Sequence, residues 1–145
     1  MASSTNIQNI ARSAAGSSGI STEEFPFEGA VVAGDVVCYD NSQTGDDRVK
    51  VVKACATAAL DRAFVVGVAM ESTADLPEGK QTIKVCVAGG PVQAKSVAGI
   101  SAGDVLHASA ATASAVADAG VAVIAIAVDD VDGGFAPVCV VRRFI

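Results

Sequence analysis

The stretch Ala33-Gly34-Asp35-Val36-Val37 returns later in the chain, with one residue changed, as Ala102-Gly103-Asp104-Val105-Leu106. Two further segments return in the same order: Val65-Val66-Gly67-Val68-Ala69-Met70 as Val123-Ile124-Ala125-Ile126-Ala127-Val128, and Val85-Cys86-Val87 as Val138-Cys139-Val140. The spacing between the segments is shorter in the second copy. One short, valine-rich supersecondary unit is therefore used twice. Features present in both copies are expected to be architectural, because an active site seldom needs to be duplicated.

The composition predicts an all-β fold. Of the 145 residues, 51% are hydrophobic, and alanine and valine supply most of them, whereas leucine occurs only at Leu60, Leu76 and Leu106. β-Branched residues without leucine suit pleated strands better than helices. The length fits one domain with a modest core. We expect a small β-barrel or β-sandwich built from two related halves, over about residues 25–90 and 91–145, preceded by an N-terminal arm.

Charge and cysteine usage exclude several classes of partner. The net charge of −6 argues against nucleic-acid binding, which depends on a basic patch. The longest apolar run, residues 119–128, is too short to span a bilayer, so no membrane partner is expected.

The polar N-terminus lacks the apolar stretch of a signal peptide, which predicts synthesis in a cytoplasm. Four widely spaced cysteines suit small buried side chains in a reducing compartment; a disulfide or a metal cluster is the alternative.

Residues 1–24 form a distinct arm, rich in serine, alanine, glycine and asparagine, that is expected to be extended or to contain a short helix. Ile7 and Ile10 fall on one face of that helix. Ordering about twenty residues costs on the order of 20–40 kcal/mol of backbone entropy, and so polar a segment has little apolar surface to offset it. We therefore expect the arm to lie on a partner, either another copy of this chain or a different protein. Phe25 and Phe27, where the arm meets the domain, are expected to anchor it.

Within the domain, alternating apolar and polar positions predict short strands separated by turns. Residues 30–39 are expected to carry the first Gly-Asp motif into a strand, and further strands are expected at residues 48–53, 64–70, 81–88, 121–128 and 135–142. Leu76-Pro77-Glu78-Gly79 fits a turn, and Gly89-Gly90-Pro91 is expected to break the chain between the two halves.

The second half contains one ambiguous segment. Residues 107–119 are rich enough in alanine to favour a helix. The repeat, and the absence of a large apolar face at helical spacing, favour strand and loop instead. In the strand that follows, Ile124, Ile126 and Val128 are expected on one face, with small alanines on the other.

Asp35 and Asp104 are the candidate residues for acid–base catalysis, and each follows a glycine at the start of a strand. Because the Gly-Asp pair occurs in both copies, we interpret each carboxylate as an acceptor for backbone amides at a tight turn. The segment Asp129-Asp130-Val131-Asp132-Gly133 has some character of a calcium loop, but its ligand register fails, and Val141 stands where a bidentate glutamate is needed. His107 is the only histidine, and no nucleophile elbow is present, so a catalytic triad is not expected.

Cofactor motifs are also missing from the sequence. Ala69-Met70-Glu71 sits in a valine-rich β context, as the biotin or lipoyl attachment turn does, but that chemistry requires a lysine where Glu71 stands. No glycine loop for phosphate is present. We expect no catalytic residue, no cofactor and no metal, and hence a protein that is not an enzyme.

Four short motifs follow one another in a recognisable order: Val65-Val66-Gly67-Val68-Ala69, Pro77-Glu78-Gly79, Val85-Cys86-Val87-Ala88-Gly89 and Ile100-Ser101-Ala102-Gly103-Asp104-Val105. This succession resembles the head decoration (cement) proteins of tailed bacteriophages, in which an Ala-Gly-Asp-Val strand entry, a Val-Gly-Val-Ala strand and a second Ala-Gly-Asp entry recur. The resemblance covers about residues 25–128. The long N-terminal arm and the alanine-rich loop over residues 109–117 depart from the pattern.

The resemblance implies a non-enzymatic structural protein of the virion. Such a protein binds the outer surface of an assembled capsid, often as a homotrimer, and stabilises it by bridging subunits of the major capsid protein. Ile7, Ile10, Phe25 and Phe27 are the candidate contacts with a neighbour. Two alternatives stay open: another virion β protein, such as a head fibre base or a tail component, and a small β-barrel enzyme or ligand-binding module in a cell.

Overall fold

The structure is a computed structural model and describes residues 19–120 and 122–142. It contains the strands β1 (Ile20–Pro26), β2 (Val36–Tyr39), β3 (Val52–Ala54), β4 (Val65–Ala69), β5 (Thr82–Lys95), β6 (Val105–Ala108), β7 (Val116–Ala117), β8 (Ala125–Ala127) and β9 (Phe135–Val140). The helices of this part of the chain are short: 3-10 turns at Gly45–Val49 and Thr73–Asp75, and α1 at Ala59–Ala63. None of them has the length and hydrophobicity needed to cross a bilayer. The predicted all-β fold is confirmed.

The strands pair antiparallel in one sheet that curls into a half-barrel. The order across the sheet is β3-β2-β4-β5-β9-β8-β6-β7, and β1 pairs with β5 outside this order. Ser114, just before β7, brings the two ends of the sheet together. Its carbonyl accepts the N–H of Val36 at 2.8 Å, and its own N–H donates to the carbonyl of Cys55 at 2.7 Å.

The central strand β5 corrects one prediction. Gly89-Gly90-Pro91 does not break the chain between the halves, because β5 continues through it to Lys95. β1 pairs with the first part of β5 and β9 with the second part, and the register shifts between Gly89 and Val92. An added Cβ at Gly90 would lie 2.5 Å from the carbonyl oxygen of Val138. Glycine at this position therefore lets β9 approach closely, and the ladder resumes after the shift.

The two copies of the sequence repeat form the same three-stranded unit in the same register. In the first unit Val36 pairs with Val68 on β4, and Val68 pairs with Cys86 on β5. In the second unit the equivalent partners are Val105 with Ile126 on β8, and Ile126 with Cys139 on β9. We call β2, β4 and the start of β5 the first unit, and β6, β8 and β9 the second unit.

Buried side chains form two clusters. The inner cluster lies within the half-barrel: Val36, Cys38, Cys55, Val65, Val68, Cys86, Val92, Ala94, Ile100, Leu106, Ala108, Val116, Ile124, Ala125, Ala127, Ala136, Val138 and Val140. The outer cluster lies on the other face of the first unit: Phe25, Val31, Val37, Val52, Val66, Ala69, Ile83, Val85 and Val87. Phe25 on β1 and Val31 in the segment that follows it therefore contribute to the outer cluster.

Two predicted strands are shorter than expected. Of residues 48–53, Arg48 and Val49 end the 3-10 turn, and only Val52 and Lys53 lie in β3. The Asp47 carbonyl accepts the N–H groups of both Lys50 and Val51, which lie between the turn and the strand. In the second half, β8 covers only Ala125–Ala127, with the alanines facing inward and Ile126 outward. The prediction that Ile124 shares a face with Ile126 is wrong, because Ile124 precedes the strand and is buried in the inner cluster.

The alanine-rich segment, by contrast, is strand and loop as predicted. β6 and β7 border it, and the Ser109 hydroxyl accepts the N–H groups of Ala111 and Thr112. Those amides are thereby diverted from helical hydrogen bonding.

Candidate interaction surface

The two Gly-Asp turns have identical local hydrogen bonds. Asp35 Oδ2 accepts the N–H of Val32 at 2.9 Å, and Asp104 Oδ2 accepts the N–H of Ser101 at 2.8 Å. In each turn the aspartate N–H donates back to the carbonyl of the same residue three positions earlier. Both carboxylates thus satisfy a backbone amide at a strand entry, in agreement with the structural interpretation of the repeat.

The cysteines are free thiols, and Cys38, Cys55 and Cys86 are buried. A hydrogen bond with Cys55, reinforced by burial, raises the pKa of the Cys38 thiol. Burial also raises the pKa of Cys86. Since the thiolate is the nucleophilic form, Cys38 and Cys86 lack the chemistry of a reactive cysteine. Cys139 is the partly exposed member of the set.

No chemical centre forms around the remaining candidate residues. Over residues 19–120 and 122–142, no group of three or more His, Cys, Asp and Glu side chains is arranged to hold a metal ion. Asp129 and Asp130, in the loop with calcium-like character, instead accept the backbone N–H groups of Asp130 and Ala102. His107 lies in β6, and its buried Nδ1 makes no hydrogen bond with the described residues.

Two shallow clefts lie side by side, and the first of them contains Ile20 at the start of β1. One, of about 270 Å³, is lined by apolar groups that include Ile20, Met70 and Val92. The second, of about 290 Å³, shares Ala33 and Met70 with the first and extends to Pro77. Ligand pockets usually measure roughly 300–1,000 Å³, so each cleft lies just below that range.

The predicted contact residues lie in different places. Ile7 and Ile10 lie outside the described residues. Phe25 is buried in the outer cluster, where its ring meets that of Tyr39, and Phe27 packs half-buried against the same cluster. The structure therefore uses Phe25 within its own chain, and β1 attaches this end of the predicted arm to the sheet.

A row of apolar side chains on the second unit is exposed, although its counterpart in the first unit is not. Val36, Val68 and Cys86, at 0%, 1% and 0% exposure, face the inner cluster. Their equivalents in the second unit form the outer row, which we define as Val105, Ile126 and Cys139. Val105 is 46% exposed, Ile126 is 43% exposed, and Cys139 is half-buried.

This difference follows from how the two units stack. The first unit turns one face to the inner cluster, and the second unit turns the opposite face to it. Val37, Val85 and Val87, in the outer cluster, thus correspond to Leu106, Val138 and Val140, in the inner cluster. The outer row is left facing away from the molecule. The sequence repeat identifies which positions are equivalent, but their unequal burial becomes visible only in the folded chain.

Comparison with known proteins supports the fold. No family model and no curated protein matches the chain. A chain of the solved structure of the capsid of Myoviridae Phage XM1 is similar in fold, with a TM-score of 0.61. The two chains are 13% identical, and the match covers 90% of this chain and 88% of the other. The half-barrel of this protein is thus a fold that also occurs in a phage capsid.

Proposed function

We propose that this protein is a structural component of a bacteriophage virion that binds the outer surface of the capsid. The observation that carries the proposal is the fold likeness, over 90% of the chain, to a chain of a phage capsid structure. The order of strand-entry motifs, which resembles that of head decoration proteins, supports the same function. The Gly-Asp turns support a non-enzymatic protein, because their carboxylates are used by the backbone.

The proposed mechanism is mechanical reinforcement of the shell. The protein bridges neighbouring subunits of the major capsid protein, and it acts as a homotrimer whose copies attach simultaneously. Individually weak contacts then give tight attachment, because once one subunit of the trimer is bound the other subunits are held close to their own binding sites. In this proposal Ile7 and Ile10 pack on a neighbouring subunit, and Phe27 borders the root of the arm.

Co-sedimentation tests this function directly. Full-length protein is mixed with shells assembled from the major capsid protein of the same phage and lacking the decoration. We expect saturable binding and a higher temperature of shell disruption. Absence of binding at saturating concentration would contradict the proposal.

A pair of double variants tests the role of the arm. Ile7→Asp with Ile10→Asp is expected to weaken shell binding at least tenfold, because both apolar contacts are lost. Ser3→Asp with Ser4→Asp adds the same charge to the same arm and is the matched control. Equal binding by both variants would remove the isoleucines from the proposed interface.

A further inference from the structure

A lysine, an asparagine and an aspartate meet at the edge of the sheet where β3 pairs with β2. Lys53 lies on β3, Asn41 follows the end of β2, and Asp61 lies on α1. Lys53 Nζ is 3.1 Å from Asp61 Oδ2, and Asn41 Nδ2 donates a hydrogen bond to Asp61 Oδ1 at 3.1 Å. One carboxylate therefore bridges the amine of one side chain and the amide of another. We call Asn41, Lys53 and Asp61 the edge triad.

The surrounding structure holds the edge triad in place and limits its contact with water. The Asp40 carboxylate accepts hydrogen bonds from the N–H and the hydroxyl of Ser42, at 3.0 and 2.7 Å, and so fixes the turn that carries Asn41. The side chain of Asp61 is 8% exposed, whereas the carboxylates of the other ion pairs among the described residues are between 29% and 52% exposed. Burial favours the neutral forms of an acid and an amine over their charged forms. The pair of Asp61 and Lys53 is therefore placed to exchange a proton.

We propose that the Lys53 side chain forms a covalent isopeptide bond with the side chain of Asn41, and that Asp61 transfers the protons. A neutral lysine amine is a nucleophile, and a carboxylate within hydrogen-bond distance acts as base and then as acid. Asp61 takes a proton from the Lys53 ammonium, and Nζ attacks Cγ of Asn41. The bond from Nζ to Cγ forms, and the bond from Cγ to Nδ2 breaks. Asp61 passes two protons in turn from Nζ to Nδ2, so that ammonium leaves and the carboxylate is restored.

The ion pair is the resting state of this reaction. Burial acts to lower the pKa of the Lys53 amine, but the hydrogen bond and charge of Asp61, with the charges of Cys38 and Asp40, raise it overall. Because the proton moves from Lys53 to Asp61 within the pair, the reactive state holds the same number of protons as the ion pair. The rate should therefore change little between pH 6 and pH 8. A lysine that lost its proton to water would instead react about tenfold faster for each unit of pH.

Tandem mass spectrometry of a tryptic digest tests the bond. Full-length protein is made by cell-free translation, incubated at pH 7, reduced, alkylated and digested. Trypsin cleaves after Arg48 and Lys50 but not after an acylated Lys53, so residues 13–48 should be recovered joined to residues 51–62. The joined peptide should be lighter than the two separate peptides by one molecule of ammonia. Reduction and alkylation exclude a disulfide between these two peptides, each of which contains a cysteine.

We expect the joined peptide to accumulate until it contains most of the protein. Lys53→Arg keeps a positive charge beside Asp61 and should give no joined peptide. Lys50→Arg is the matched control, because Lys50 is exposed in the same segment, and it should react as the wild type. Asp61→Asn should slow the reaction by roughly a hundredfold or more, since the proton carrier is lost. If circular dichroism shows that Lys53→Arg is unfolded, Asn41→Ala, which keeps the ion pair, takes its place.

Three outcomes would overturn the inference. Recovery of the two peptides unjoined after long incubation of the folded protein would show that the bond does not form. Residues 13–48 that are lighter by ammonia but unjoined would mean that Asn41 closes a ring on its own backbone. Joining that is equally fast in a folded Asp61→Asn variant would remove the carboxylate from the mechanism. The bond lies within one chain and goes beyond the proposed function, so none of these outcomes bears on shell binding.

Discussion

The ring of Phe25 stands edge-on to the ring of Tyr39, with centroids 6.3 Å apart and planes inclined at 74°. This contact joins β1 to β2 across the outer cluster, although the two strands share no backbone ladder. Edge-to-face packing adds roughly 0.5–1.5 kcal/mol to the burial of the rings themselves. The pair therefore fastens β1 to β2 of the first unit.

Replacement of Phe25 by alanine should strongly destabilise the fold. Removing a buried phenylalanine costs about 3–5 kcal/mol, through lost burial and the cavity left behind. Urea unfolding of Phe25→Ala measures this loss, and Phe64→Ala is the control, since Phe64 is 39% exposed. Equal losses in the two variants would show that Phe25 does not anchor β1.

Gly67 should not tolerate even a methyl group. An added Cβ at this position would collide with the carbonyl oxygen of Cys86 on β5. We expect Gly67→Ala to lower the free energy of unfolding by more than about 2 kcal/mol, as overpacking of a core does. The equivalent residue in the second unit is Ala125, so Ala125→Gly is the matched reciprocal change and should cost only about 1 kcal/mol. A Gly67→Ala variant of wild-type stability would contradict the close approach of β4 and β5.

Glu71 should make stability depend on pH. The N–H of Lys84 donates to its carboxylate at 3.0 Å, and this bond, helped by the Lys80 ammonium, lowers the pKa of Glu71. A lowered pKa in the folded state stabilises the protein above the usual glutamate range, and that contribution is lost as the pH falls through the folded pKa. Glu71→Gln should therefore be less stable than the wild type at pH 7, by less than about 1 kcal/mol because the ion pair is partly exposed.

Thermal unfolding between pH 7 and pH 2 checks the behaviour of Glu71. The difference between the wild type and Glu71→Gln is expected to shrink on acidification and to vanish at the lowest pH. Glu78→Gln, an exposed change in the same turn region, controls for the loss of one negative charge. A difference that stayed constant with pH would exclude the carboxylate as its source.

The two aspartates of the Gly-Asp turns should act on stability and not on attachment to the shell. Asp35→Ala and Asp104→Ala each remove an acceptor for one backbone N–H, which costs about 1–2 kcal/mol. The loss should be larger for Asp35, which is the more buried of the two. Chemical unfolding and co-sedimentation with shells separate the effects. A variant that kept its stability but lost shell binding would mark its aspartate as a contact residue.

The sequence repeat made the strand pairing of the second unit predictable, because equivalent residues of the two copies pair with equivalent partners. Knowing that Val36 pairs with Val68 is enough to expect that Val105 pairs with Ile126, as it does. The Gly-Asp turns were predictable for the same reason. In each copy, the aspartate carboxylate accepts a hydrogen bond from a backbone N–H at the turn that precedes the first strand of the unit.

It was harder to predict which strand faces are buried and whether a strand continues through a pair of glycines. Nothing local distinguishes Ile126, which is exposed, from Val68, which is buried, since burial depends on what stacks above each unit. The glycines at Gly89 and Gly90 read as a chain break, because close approach by β1 and β9 is a tertiary effect. β1 itself, with charged residues at Glu23 and Glu24, has few of the alternating apolar positions that indicate a strand.

Gly89 pairs with Ile20, where the described chain joins the sheet, and also with Val140, where β9 ends. Tension applied between these two points would meet the ladders at their terminal bonds and open them one after another, as a zipper opens. A load applied along the strands would instead shear many such bonds at the same time. The molecule should therefore yield easily when Ile20 and Val140 are pulled apart and resist far greater force when its strands are sheared along their length.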